Sequence, residues 1–219
     1  IMVIYALITI AIFSMWYYAR YEGNFLPSPK KTFTPMMIVA IVILVPGTQF
    51  AANFIANLTG YIRPDWLQQY NELFETSGIT DTTFVTVLYS VILAPICEEL
   101  IFRGVTMRCA RKALPFALAN LMQAALFGLF HLNWIQGIYA FALGIVLGYV
   151  CECGGSIYYS MGLHMLFNLW GTLSGFFPDP GNSVVVFVVV IAVTIVSLVV
   201  GFVLFNKGRR KLPINSTGI

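Results

Sequence analysis

Charge is what this chain has least of. Of its 219 residues only 10% are Asp, Glu, Lys or Arg, and only two are histidine, whereas a soluble domain carries about 25% charged residues. A water-exposed surface of ordinary composition is excluded on that ground alone. Alternating apolar–polar segments of the kind that build membrane β-barrels are also missing. So is any single basic patch, and without one the net charge of +3 gives nucleic acid no surface to bind. The four cysteines are Cys97, Cys109, Cys151 and Cys153. Cys151-Glu152-Cys153 has no second pair at metal-ligand spacing, and all four fall at membrane or cytoplasmic-side positions, where thiols stay reduced.

What is present is apolar and continuous. Hydrophobic residues make up 59% of the chain, and mean hydropathy is +0.84. In lipid, only helices and closed barrels satisfy the backbone. The sequence therefore predicts an all-α, polytopic transmembrane helical bundle forming a single membrane domain over 1–219. About seven runs have the length that a ~30 Å hydrocarbon core demands, at 1–18, 35–58, 83–102, 113–132, 134–150, 157–177 and 184–206. The chain opens on Ile, which is compatible with an eighth span upstream of residue 1. The first run lacks a basic n-region and a small-residue cleavage pattern, so it reads as a span and not a signal peptide. Pro46-Gly47 is expected to kink the second span. In the 61–82 segment, Trp66, Leu67, Tyr70, Leu73 and Phe74 recur at helical spacing, the pattern of an interfacial amphipathic helix. The 19–34 segment, with Pro27 and Pro29, reads as a polar loop, and 207–219 as a cytoplasmic tail.

Lys and Arg set orientation. With alternating spans, Arg20, Lys30, Lys31, Arg103, Arg108, Arg111, Lys112, Lys207, Arg209, Arg210 and Lys211 fall on one side and Arg63 alone on the other. The first side is then cytoplasmic, and the 61–82 loop, with Asp65, Glu72, Glu75 and Asp81, lies outside. The first, second and last spans hold almost no ionisable groups and read as lipid-facing scaffold. Spans three to six hold the intramembrane charge, which places a catalytic core at approximately 83–175.

That charge needs a reason, because one charged side chain near a bilayer centre costs roughly 2.5–3.5 kcal/mol on insertion scales. Glu98, Glu99 and Arg103 lie within six residues of an apolar run. Glu99 and Arg103 have the favourable i,i+4 order and offset each other's desolvation. Glu98 is rotated about 100° from Glu99 on a helix, faces a different surface, and is left for chemistry. Two carboxylates separated by environment are how acid and base roles are assigned. Phe127 and His131 share a second helix face, with Phe127 read as packing. His164 and Asn168 share a third face, where a carboxamide beside an imidazole can stabilise an oxyanion. Gly128, Gly137, Gly144, Gly148, Gly162 and Gly171 would let these helices approach closely.

The ordered set Glu98-Glu99-x-x-x-Arg103, Phe127-x-x-x-His131 and His164-x-x-x-Asn168 resembles the three-motif signature of the CPBP family, the CAAX proteases and bacteriocin-processing (Abi) membrane proteins similar to type II CAAX prenyl endopeptidases. The resemblance covers roughly 83–175. It implies an intramembrane glutamate-dependent endopeptidase with no cofactor, in which Glu98 activates water, His131 helps to hold it, His164 and Asn168 form the oxyanion site, and Glu99 and Arg103 support Glu98. It also implies a membrane-associated protein or peptide substrate and a bacterial plasma-membrane location. Neither the substrate's identity nor an oligomeric state follows from the sequence.

Three alternatives stand beside this. A zinc protease would use Glu98, His131 and His164 as ligands, since two histidines and a glutamate form a catalytic zinc set, although no His-Glu-x-x-His helix is present. A non-catalytic immunity factor or regulatory scaffold would keep the same fold. A proton-coupled transporter would use Glu98 and the histidines as a relay, but no inverted repeat supports it. Geometry adds one demand. Straight spans would leave His131 about 15 Å deeper than Glu98, so either the third helix runs on through Arg108 or the fourth starts below the interface near Pro115.

Overall fold

The structure, a computed structural model, describes residues 2–21, 33–77, 83–174 and 183–209. The expectations for Lys30, Lys31, Pro27, Pro29, Asp81, Arg210, Lys211 and most of the 207–219 tail lie outside these residues, as does the side chain of Arg20. Among the described residues every regular element is helical. They are α1 (Met2–Tyr21), α2 (Pro35–Ile62), α3 (Pro64–Ser77), α4 (Phe84–Ala110), α5 (Phe116–Phe130), α6 (Trp134–Gly154), α7 (Ile157–Ser174) and α8 (Val184–Gly208).

The helix ends follow from local chemistry. Thr34 and Ser183 accept hydrogen bonds from the first turns of α2 and α8, Thr83 and Thr86 form a reciprocal capping box on α4, and Asn133 caps α6, each satisfying N–H groups that a helix start leaves free. Gly155 closes α6 at φ 65°, a left-handed position that glycine adopts without strain.

Among the described residues five helices are long and apolar enough to cross a membrane: α1, α2, α4, α6 and α8. The bundle agrees with the expected class, but two of the seven expected runs differ in kind. α5 has 15 residues, about 22 Å, too short to cross. α7 has 18 residues and carries Tyr158, Tyr159, Ser160, His164 and Asn168. α4 is longer than expected and reaches Ala110.

α2 is central and not lipid-facing scaffold, a correction to the sequence reading. It packs along α8 and also against α6 and α7. Its buried Met37, Ile41, Leu44 and Val45 join Leu147, Leu163 and Phe205 in the main core. α1 and α8 are mostly exposed apolar helices, as expected of a lipid-facing pair. At Pro46 the α2 ladder is broken, because proline has no N–H. One residue along, the Ser197 hydroxyl of α8 bridges the ladder: it accepts from the Gly47 N–H at 2.9 Å and donates to the Ile43 carbonyl.

The α5–α6 crossing depends on glycine. A Cβ at Gly128 would lie 2.5 Å from the Gly137 carbonyl oxygen, and one at Gly148 would overlap Asn120. Gly144 and Gly137 are similarly close to α5, whereas Gly162 has open space around it and Gly171 makes only an ordinary contact. The close-approach expectation therefore holds for four of those glycines and fails for the other two.

The two ends of the bundle are chemically distinct. At one end Arg111 pairs with Glu152 at 3.1 Å, Arg108 donates to the Tyr17 hydroxyl, and Thr34 bonds both Tyr159 and the Gly208 carbonyl. At the other, Trp66 of α3 stacks on Trp134 of α6 with centroids 5.2 Å apart. α3 forms the helix that its periodicity predicts, and it is mostly exposed.

Candidate active site

α4 places the glutamates. Its segments Tyr89–Leu93 and Leu100–Met107 are wound as π-helix, a form that marks functional sites. The first has a visible consequence. Ala94 donates to the Tyr89 carbonyl, so in this register the Ser90 carbonyl falls to residue 95, which is proline and has no N–H. Asn168 of α7 supplies the missing donor, its Nδ2 lying 2.8 Å from the Ser90 oxygen. One N–H of the expected oxyanion residue is thus committed to tying α7 to α4.

Glu98 and Glu99 diverge as helix geometry predicts. Glu99 is fully buried and bonds Arg103 Nη1 at 2.8 Å. Arg103 also donates to the Gly144 carbonyl at 3.2 Å, and its guanidinium lies 4.4 Å from the Phe127 ring centre, a cation–π contact. Arg103 is therefore a core residue with no exposure. It does not belong among the cytoplasmic-side basic residues where the sequence count placed it.

Glu98 is 16% exposed and faces a cavity of about 850 Å³. His131, Phe127, His164 and Asn168 line that same cavity. Three motifs from three helices converge there. The depth problem resolves as one of the two alternatives required. α4 runs on past Arg108, so Glu98 lies near its middle, about 18 Å from Ala110. α5 starts just after Pro115 and climbs about 22 Å back to His131. The two side chains therefore meet at similar depth.

The two histidines differ. His164 is buried, with Nδ1 2.9 Å from Glu99 Oε1 and Nε2 3.6 Å from Glu98 Oε2. Glu99 accepts from Nδ1–H, and Nε2 faces Glu98 across a gap slightly longer than a hydrogen bond. His131 ends α5, and its Nδ1 lies 2.8 Å from the Phe127 carbonyl. An Nδ1–H that donates there leaves Nε2 as an acceptor. The chain then turns at Leu132 with φ 52°, a left-handed conformation that costs a non-glycine residue roughly 1–2 kcal/mol and holds His131 at the helix terminus. Phe127 organises the group. Its ring meets His131 and His164 edge-on, with centroids 5.0 and 5.7 Å away, so its packing role is also an orienting one.

Several wall residues were not found in the sequence. Gln49 and Asn53 of α2, Tyr70 and Leu73 of α3, and Gln136 and Tyr139 of α6 all line the cavity. Gln49 is 7% exposed and donates from Nε2 to Asn53 at 3.3 Å, while its Oε1 has no partner. A polar pair inside an apolar span was the available signal. Tyr70 and Tyr139 share a hydrogen bond, and burial pushes the Tyr70 phenol up. Among the described residues no three His, Cys, Asp or Glu side chains form a metal-ligating group.

Residues 80–170 match a family model, the type II CAAX prenyl endopeptidase Rce1-like family. The matched stretch runs across α4 to α7, where the motif resemblance lies, and this similarity supports peptidase activity in an integral membrane protein in general terms. Neither a curated protein nor a solved structure gives a significant match.

Proposed function

We propose that the protein is an intramembrane endopeptidase that uses Glu98 to activate water. The observation that carries this is the convergence of Glu98, His131, His164 and Asn168 on one cavity, with His164 set between both glutamates. A water held by Glu98 and the His131 Nε2 attacks the peptide carbonyl and gives its proton to Glu98. His164, held on Glu99 through Nδ1, donates from Nε2 to the developing oxyanion when its ring carries both protons, and the remaining N–H of Asn168 donates beside it. The same proton then passes to the leaving amine. Positioned general acid–base groups contribute about 10²–10⁴-fold, and oxyanion donors a similar factor each. No metal ion is needed. The substrate is a membrane-associated polypeptide, either a CAAX-type C-terminus or a bacteriocin or signal peptide under maturation, and the protein is a multi-pass component of a bacterial plasma membrane with its C-terminus in the cytoplasm.

Fluorogenic peptides of both kinds, offered to the purified protein in liposomes, test this. Glu98→Gln should lower kcat by about 100-fold or more, His131→Ala should lower it comparably, and a chelator should have no effect. Chelator-sensitive cleavage would move the assignment to a zinc site on Glu98, His131 and His164. Full biological activity of Glu98→Gln in cells would move it to a non-catalytic immunity or regulatory role.

A further inference from the structure

The cavity lies toward one end of the bundle, and that end can be identified by charge. Its deep wall is Glu98, Phe127, Leu143 and His164. Its outer wall is Ala56 of α2, Tyr70 of α3, Thr86 of α4, Gln136 of α6 and Ser174 of α7. The outer-wall residues all lie near the helix ends that meet α3. The opposite ends of the same helices carry Arg108, Arg111, Lys112, Lys207 and Arg209, and no residue from those ends lines the cavity. At the mouth end the described residues include a single basic side chain, Arg63, beside Asp65, Glu72 and Glu75. Arg63 is held by Asp65 through two hydrogen bonds of 2.9 and 2.6 Å. The bias of Lys and Arg in short loops and at span ends sets membrane orientation, with the basic side cytoplasmic. Here it survives removal of Arg103 from the count.

We infer that the catalytic cavity opens to the extracytoplasmic face and that the substrate is a polypeptide segment presented from that face, a translocated or secreted peptide and not a cytosolic C-terminus. The orientation stands on charge and cavity geometry. The word substrate rests on the endopeptidase reading above. The polar pair Gln49–Asn53 lines the same cavity as Glu98.

Two probes decide the point. Cys109 is exposed at the basic end, and Gln69 is exposed on α3. In intact cells a membrane-impermeant maleimide should label the Gln69→Cys variant and leave Cys109 unlabelled until the membrane is permeabilised. Labelling of Cys109 from outside, with residue 69 protected, would overturn the inference and leave the endopeptidase reading intact. The second probe is a single-span reporter with the same apolar peptide segment on either its outer or its cytoplasmic flank. Cleavage confined to the outer flank and lost in Glu98→Gln supports the inference. Glu98-dependent cleavage confined to the cytoplasmic flank overturns it. Flank-specific cleavage that persists in Glu98→Gln tells against the endopeptidase mechanism alone.

Discussion

Two adjacent glutamates of identical chemistry are given opposite tasks by a rotation of one residue. Glu99 is sealed against Arg103 and His164, while Glu98 touches the cavity. This difference should appear in stability before it appears in activity. Glu99→Gln leaves Arg103 buried without its counter-charge, and breaking one side of a buried pair costs about 3–5 kcal/mol. Glu98→Gln removes no ion-pair partner of Arg103 and should change stability by less than about 1 kcal/mol. Thermal unfolding in detergent should therefore show a large drop for the first variant and almost none for the second, and equal drops would refute the division. Part of this was readable in advance, because helical rotation separates neighbouring side chains whatever surrounds them. The roles of His131 and His164 were not readable. They depend on which imidazole meets Glu99 across two helices, and nothing in the local spacing of either motif encodes that meeting.

At the level of the helix, the tie from Asn168 answers the missing N–H of Pro95 in the π-wound segment of α4. Pro95→Ala would return a donor able to bond the Ser90 carbonyl within α4, in competition with Asn168. A net hydrogen bond is worth only about 0.5–1.5 kcal/mol, so melting should shift little. With α7 no longer tied by that bond, His164 and Asn168 lose their fixed placement, and kcat should fall about tenfold or more with KM nearly constant. An unchanged kcat would show that the tie does not position the site. The α5–α6 crossing makes a different demand. Gly128→Ala would drive a methyl into the Gly137 carbonyl, and overpacking of this kind costs typically about 1–3 kcal/mol. His131 lies one turn further along α5, so this variant should lose both stability and activity, measured as a lower unfolding temperature and a lower kcat in the same preparation. A methyl at Gly162 meets open space and should do neither.

Across the whole molecule, composition made the class legible, because so few charges in so apolar a chain permit only a helical membrane bundle. Depth was not legible. Whether α5 crosses or stops midway depends on where the 111–115 turn sits and on the glycines that let α5 lie along α6, so equal apolar runs in sequence became a long α4 and a short α5. The polar wall from α2 was missed for the same reason: Gln49 and Asn53 face the cavity only because α2 is central. α3 is the exception in this assembly, a mostly exposed helix lying across the cavity mouth. It is fastened by the Trp66–Trp134 stack, by Leu67 packed against Gly60, and by the Tyr70–Tyr139 hydrogen bond. Elements with few buried contacts open at low free energy, so amide exchange in α3 should be faster than in α4 or α7. An aromatic pair is worth about 0.5–1.5 kcal/mol beyond its burial, and loss of the buried indole adds to this. Trp66→Ala should therefore speed exchange in α3 by about tenfold. Exchange at Glu98 and His164 should stay unchanged, while KM shifts because Tyr70 and Leu73 form part of the cavity wall. If exchange rises equally through α4 and α7, then α3 belongs to the cooperative core, and the mouth of the cavity is as rigid as its base.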